Sequence, residues 1–313
     1  MYENSSSAVL LTLETLDVSN ANIYPAFIFG TLTYLLIMFS NLLVLATIAV
    51  SKTLHKPMFI LLVNLPISDM MGATAFFPHF LFSMVVENRQ ISYHACISQA
   101  FLIHVYGIGN VLILSAMAYD RYVAICCSLK YNTIMSPNNL IKINIFIWLI
   151  NVSLVVTLFL LLVRFKICRT NIVDLYCNNP SLMKLVCEDI SVNNYYGLAI
   201  TFLLQSVIVF TIIYTYAQIL CTCVVMKQSA VWKKAFQTCG THLLVFFILE
   251  INALFTLMAH RFNSVSPLLR KALGVSILIF PPVLDPLIYG LKTTELRKSI
   301  MMFLKRNVDS IRM

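Results

Sequence analysis

Met117 to Cys126 reads MAYDRYVAIC and closes an apolar run that begins near Ala100. An Asp-Arg pair at the centre of a bilayer costs a few kcal/mol at least, so Asp120 and Arg121 mark the place where a membrane span meets water. The rest of the chain agrees with that boundary. With 59% hydrophobic residues, 11% charged residues and a mean hydropathy of +0.85, its 313 residues read as an integral membrane protein. Mostly apolar segments of about 20 residues or more, enough to cross a ~30 Å hydrocarbon core as helix, run approximately from Ala26 to Val50, Met58 to Val86, Ala95 to Ile125, Leu140 to Val163, Tyr195 to Val225, Thr238 to Ala259 and Leu268 to Leu291. None carries the short alternating pattern of a barrel strand.

The predicted fold class is therefore an all-α membrane protein, a seven-transmembrane-helix bundle with its N-terminus outside and its C-terminus in the cytoplasm. Residues 1–25 form an extracellular tail, 26–291 the helical domain, and 292–313 a cytoplasmic amphipathic helix and tail. Charge fixes the orientation. In this topology the inner segments hold fourteen of the 22 Lys and Arg, against three acids, and the outer segments hold eight against seven, so the faces carry +11 and +1. The net charge of +9 is thus a signal for the inner leaflet of the lipid bilayer and not for nucleic acid. The tail carries the sequon Asn4-Ser5-Ser6, a glycosylation acceptor on the outer face, and shows no signal-peptide pattern. The sequon Asn151-Val152-Ser153 falls inside the fourth span and is discounted.

Nine cysteines divide by side. Cys96, Cys168, Cys177 and Cys187 lie outside, in an oxidising compartment, and Cys126, Cys127, Cys221, Cys223 and Cys239 lie at the inner ends. Four outer cysteines allow three pairings, which spacing does not resolve. Three of them sit in the long connection from Arg164 to Asn194, and a bridge from Cys96 to this loop would hold it over the bundle mouth as a lid.

Ionisable residues inside the spans are few, namely Asp69, His104, Glu250 and Asp285, with His79 and His242 nearer the ends. Asn41, Asp69, Asn110 and Asp285 come from four different helices and could converge on a polar network, holding helices together or binding sodium. Glu250 follows Lys234 by sixteen residues, about 24 Å of helix, and His104 precedes Arg121 by seventeen, about 25 Å, so both reach the outer half of the bundle. Around them Ile103, Gly107, Ile108, Ile200, Leu204, Ala253, Leu254 and Val275 are apolar or small. That lining suits a small, mainly apolar ligand oriented by one or two polar contacts. At the inner end, Arg121 with Asp120 and Tyr122, Tyr216, Lys234 and Tyr289 surround a crevice fit for a partner's helical tail.

MAYDRYVAIC, LHKPMFILL from Leu54 to Leu62, TYAQI from Thr215 to Ile219, KAFQTCGTHL from Lys234 to Leu243 and PPVLDPLIY from Pro281 to Tyr289 occur in order, each at the end of a different span. Together they resemble the signature set of odorant receptors, within the rhodopsin-like G-protein-coupled receptors, and the likeness covers essentially the whole chain. The resemblance implies Asn41, Asp69, Arg121, Trp148 and Pro286 as helix anchors and disulfides Cys96–Cys177 and Cys168–Cys187. It further implies a small-molecule odorant between spans three, five and six, and a plasma-membrane location in the cilia of olfactory neurons. Arg121, Tyr216 and Tyr289 would rearrange to admit the α subunit of a stimulatory, olfactory-type heterotrimeric G protein. No cofactor is implied.

The sequence departs from the pattern at several positions. Asp285 stands where the wider class has Asn, Asn110 where many odorant receptors have an acid, Phe59 where Tyr is usual, Ser40 where Gly precedes Asn41, and Glu250 in place of an aromatic. This combination is more similar to the fish branch, whose odorants are water-borne. No phosphate-binding Gly loop, HExxH, CxxC or nucleophile-base constellation is present in the sequence, so an enzyme is not expected. The alternatives are a small transporter or channel with Asp69, Asp285 and Glu250 as its ion path, and a receptor of the same class for another ligand. The spans lack the repeats of a transporter, and the aliphatic Ile103 stands where an amine receptor would carry an acid.

Overall fold

Ser92 and Ser266 each sit just before a long apolar run, and each side chain accepts a hydrogen bond from the exposed first turn, from Ala95 N and Leu269 N, both at 3.3 Å. Pro57, Pro137 and Pro267 occupy first helical positions, where a missing N–H costs nothing. The computed structural model describes residues 9–14, 20–86, 88–226, 240, 243–256, 259 and 265–311. Its main helices are α1 (Asn20–Val50), α2 (Pro57–Val86), α3 (Tyr93–Cys126), α4 (Pro137–Val163), α5 (Ser191–Met226), α6 (Leu243–Thr256), α7 (Pro267–Lys292) and α8 (Thr294–Ile311). Six are long and apolar enough to cross a membrane, and the described part of α6 is shorter.

These helices form the expected seven-helix bundle. α3 is central and packs against α2, α4 and α5, while α1 lies against α2 and α7. Several helices begin before the apolar windows do, because the cap residues that start them are polar and lie outside the hydrocarbon. Phe29, Phe39, Phe146, Leu149, Phe202 and Phe210 are exposed on the outside of the bundle, as a lipid-facing surface requires. Inside, Leu54, Leu61, Leu65, Ile113 and Met117 fill the inner half. α8 turns away beside α1 with Leu296 fully buried, and Lys56 Nζ meets Glu295 at 2.7 Å. Both partners are about half exposed, so this ion pair contributes at most about 1 kcal/mol.

The prolines of α7 explain two cross-helix contacts. Pro281 and Pro286 supply no N–H to the carbonyls four residues earlier, those of Ile277 and Pro282. Tyr106 Oη donates to Ile277 O at 2.8 Å, and Asn41 Nδ2 donates to Pro282 O at 3.0 Å. Both freed acceptors are thus satisfied from neighbouring helices. Asn41→Ala should therefore destabilise the protein by about 1–3 kcal/mol, read as a lower melting temperature in detergent. Ser40→Ala should change little, because among the described residues Ser40 Oγ bonds only carbonyls of its own helix, Leu36 O and Ile37 O.

A small sheet crosses the outer face. β1 (Leu10–Leu13) lies between β2 (Gln90–Ser92), to which it is antiparallel, and β3 (Asn171–Ile172), to which it is parallel. Leu11 and Leu13 alternate inward and pack with Ile91 and Ile172. The tail segment thus covers the bundle mouth and is an addition to the all-helical expectation.

Candidate functional site

The loop between α4 and α5 is fastened over the mouth at several points. Cys177 is bonded to Cys96 at the start of α3, and Cys168 to Cys187 within the loop. Cys177 N donates to Gln99 Oε1 at 2.8 Å, and Gln99 Nε2 reaches Ala75 O at 2.9 Å, which ties the loop to α2 and α3. On the other side Arg270 meets Asp174 at 3.3 Å and Tyr176 Oη donates to Gly274 O at 3.2 Å. A Cβ at residue 274 would stand 3.1 Å from Tyr176 Oη, so Gly274 permits the approach. Asp174 also accepts from Asn178 and Ser181, which organise the short helix Asn179–Met183.

Beneath that helix lies a cavity of about 220 Å³ among α3, α5, α6 and α7. At ~30 Å³ per water in the liquid it has room for roughly seven waters, hence a small ligand. Of the residues expected from sequence, His104, Gly107, Ile108, Ile200, Leu204 and Ala253 line it. His104 Nδ1 is 2.8 Å from Ala100 O, a pure acceptor, so Nδ1 carries the proton, and in the neutral ring Nε2 is the acceptor.

Four expected residues are placed elsewhere by the rotation of their helices. Leu254 is 49% exposed on the outside of α6. Ile103 and Val275 belong to the packing around Phe76, Phe77 and Leu278. Glu250 is 7% exposed, and neither carboxyl oxygen has a partner among the described residues. Its neighbours Leu249 and Ala253 line the cavity, while Glu250 itself does not. Asn252 and Thr256 bond to Ser276 and Leu273 O of α7, and Asn252 lies about 200° around the helix from Glu250. Phe246, one turn earlier, packs with Ile208, Ile212 and Tyr216, so Glu250 faces the α5 side. Tyr106, Asn179, Met183, Thr201 and Gln205 line the cavity without having been expected. The loop residues among them carry no helical periodicity that would have pointed to the site.

Deeper, Asn110 Nδ2 donates to Asp69 Oδ1 at 2.8 Å. Asp285 faces this pair closely enough to interact electrostatically, and Asn41 adjoins through Pro282. Asn41 Oδ1, Asp69 Oδ2, Asn110 Oδ1 and Asp285 Oδ2 are all buried without a partner among the described residues. Four orphan oxygens call for hydrogens or a cation. Trp148 Nε1 donates to Asn64 Oδ1 at 2.9 Å, joining α4 to α2. Asn151 is fully buried and donates to Val105 O at 2.8 Å, which accounts for discounting its sequon.

At the inner end Asp120 is fully buried and receives two donors, Arg121 Nη2 at 2.7 Å and Tyr131 Oη at 2.9 Å. Tyr131 lies in the loop after α3, beyond the span, and was not expected. Burial and the Asp120 carboxylate push its phenol well above the usual range, so it remains a donor. Tyr216 and Tyr289 are buried, and Tyr289 has both Tyr216 and Arg121 in its electrostatic surroundings. Tyr122 is 6.1 Å from the ring of Tyr214 on α5. Ala118, Ile208, Ile212, Ile219 and Phe246 pack together between α3, α5 and α6 on the way to this end. Lys234, Cys239, His242 and Asn4 lie outside the described residues. Among those described, no group of three His, Cys, Asp or Glu is placed to hold a metal.

Residues 30–307 match the family model described as olfactory receptor. The chain is similar to human olfactory receptor 52H1, 34% identical over 275 residues that cover 87% of this chain and 88% of that protein. It is also similar to human olfactory receptor 52J3, 32% identical over 305 residues, or 96% and 97% of the two chains. Among solved structures squid rhodopsin is similar, with a TM-score of 0.75 at 16% identity, covering 92% of this chain and 82% of that one. At that identity the likeness speaks for the fold alone.

Proposed function

The chain belongs to the olfactory receptor family of rhodopsin-like G-protein-coupled receptors, and from that premise we propose that it binds a small, mainly apolar or weakly polar odorant in the cavity beneath the loop helix and activates a stimulatory G protein. It is a signalling receptor of the plasma membrane with several membrane passes, and not an enzyme. The observation that carries the ligand reading is the cavity itself, walled mostly by apolar side chains and roofed by a disulfide-held loop. Gly107 lines it and has no atom within 4 Å of where a Cβ would stand, so Gly107→Leu fills the site without a clash at that first atom. In cells with a cyclic AMP reporter, a panel of alcohols, amines, acids and esters should evoke responses that Gly107→Leu removes. Responses unaltered by that change would place the ligand elsewhere.

The polar cluster of Asn41, Asp69, Asn110 and Asp285 serves as the joint between cavity and inner face. Two buried carboxyls need a positive charge between them, either a shared proton or a sodium ion. An ion-conducting role for Asp69, Asp285 and Glu250 would instead show as odour-evoked current in liposomes that lack a G protein. Glu250 does not line the cavity, and we assign it to cationic or strongly polar ligands through the field of its buried carboxyl, beside Leu249 and Ala253, which do. Glu250→Gln should then weaken responses to amines by about tenfold, worth ~1.4 kcal/mol, and leave hydrocarbon-like odorants within about twofold. Equal losses for all ligands would make Glu250 a packing residue.

A further inference from the structure

Several polar side chains of the cavity wall spend their donors on backbone carbonyls. Tyr106 Oη donates to Ile277 O at 2.8 Å and Thr201 Oγ1 to Gly197 O at 2.7 Å. Each of these side chains lines the cavity, and each gives its proton to a backbone carbonyl. What each retains is acceptor capacity.

Asn179 extends the pattern and fixes its sense. Leu158 O can only accept, so Asn193 must present Nδ2 to it, at 2.7 Å. That leaves Asn193 Oδ1 toward Asn179, whose Nδ2 donates to it at 3.2 Å. The relay thereby sets the orientation of the Asn179 amide, because a flip would oppose two oxygens. Asn179 is 4% exposed and lines the cavity, and its Oδ1 has no partner among the described residues. Gln205, which also lines the cavity, carries both a donor and an acceptor and so does not discriminate.

We propose that this cavity selects ligands that bear a hydrogen-bond donor, small alcohols and primary amines, over isosteric ketones, ethers and esters, with Asn179 Oδ1 as the selecting acceptor. This rests on the cavity being the odorant site. Asn179 Oδ1 is itself covered, and a ligand hydroxyl or amine gives it the partner it lacks once a small shift of the loop helix uncovers it. An acceptor-only ligand leaves it unsatisfied and brings a second lone pair against it, and sites built around one polar partner reject such analogues strongly.

The test uses the full-length receptor at the cell surface, a cyclic AMP reporter, and matched series of 1-alkanols, 1-aminoalkanes, 2-alkanones and methyl alkyl ethers of equal chain length. The expected result is a half-maximal concentration about tenfold lower or more for the donors than for the acceptor-only compounds. Asn179→Leu, normalised to surface staining, should shrink that preference to about threefold or less. Wild-type silence toward every donor, or equal potency of ketones and alcohols, overturns the proposal with no variant needed. A preference that survives in Asn179→Leu overturns the role of Asn179. Gly107→Leu separates the two readings. If it removes all responses while the donor preference proves absent, only the selectivity is wrong. If it leaves them intact, the cavity is not the odorant site and both fall.

Discussion

Asp120→Asn is expected to raise signalling in the absence of ligand by about tenfold or more, and Arg121→Ala to abolish the response to any ligand. Asp120 is fully buried and satisfied by Arg121 at 2.7 Å and Tyr131 at 2.9 Å. A hydrogen bond to a charged group contributes about 1.5–3 kcal/mol, and 1.4 kcal/mol is tenfold in a two-state equilibrium. Removing the carboxylate charge frees Arg121 and favours the open crevice by that amount. Removing Arg121 instead leaves a buried carboxylate with Tyr131 alone, a loss of about 3–5 kcal/mol, and takes away the group proposed to meet the G protein. Basal cyclic AMP reads the first and ligand-evoked cyclic AMP the second, both corrected for surface expression. Tyr131→Phe should fall between wild type and Asp120→Asn. An Asp120→Asn receptor as quiet as wild type would mean that the pair does not hold the closed state.

Cys96→Ser or Cys177→Ser should lower surface expression more than Cys168→Ser or Cys187→Ser. The first bridge spans 81 residues of sequence and the second 19. Loop-closure entropy gives about 4.5 and about 3.2 kcal/mol for those lengths. Both are upper figures, because helices already inserted in the bilayer restrict the unfolded chain. The first bridge also sets the Cys177 amide on Gln99, and through it the loop helix over the cavity. Loss of the first bridge should therefore also widen ligand selectivity in whatever fraction reaches the surface. Flow cytometry of intact cells and melting of the solubilised protein measure the stability difference. Equal losses for the two bridges would show that closing the outer lid adds nothing beyond the local loop.

Much of the architecture was legible in the amino-acid order. Hydrophobic runs longer than a bilayer is thick admit little but helix, and the excess of Lys and Arg on one set of loops orients them. Pro281 and Pro286 announced carbonyls in need of donors, but not that Tyr106 and Asn41 supply them. The ligand pocket was legible in part. His104, Gly107, Ile108, Ile200, Leu204 and Ala253 line the cavity, whereas Leu254 faces outward and Ile103 and Val275 pack toward α2. Depth along a helix follows from counting residues. Rotation about its axis does not, because seven apolar helices present apolar residues on every side.

The sequence by itself thus determined the spans, their direction and the level at which Arg121 and Glu250 sit, since burial in lipid depends on the composition of each segment. Only the tertiary structure decided which way round the Asn179 amide is held beside the cavity, which tyrosine holds Asp120 and how residues 10–13 close the outer face. Those are pairings between groups remote along the chain, and the direction of a hydrogen bond is fixed by what its partner can accept.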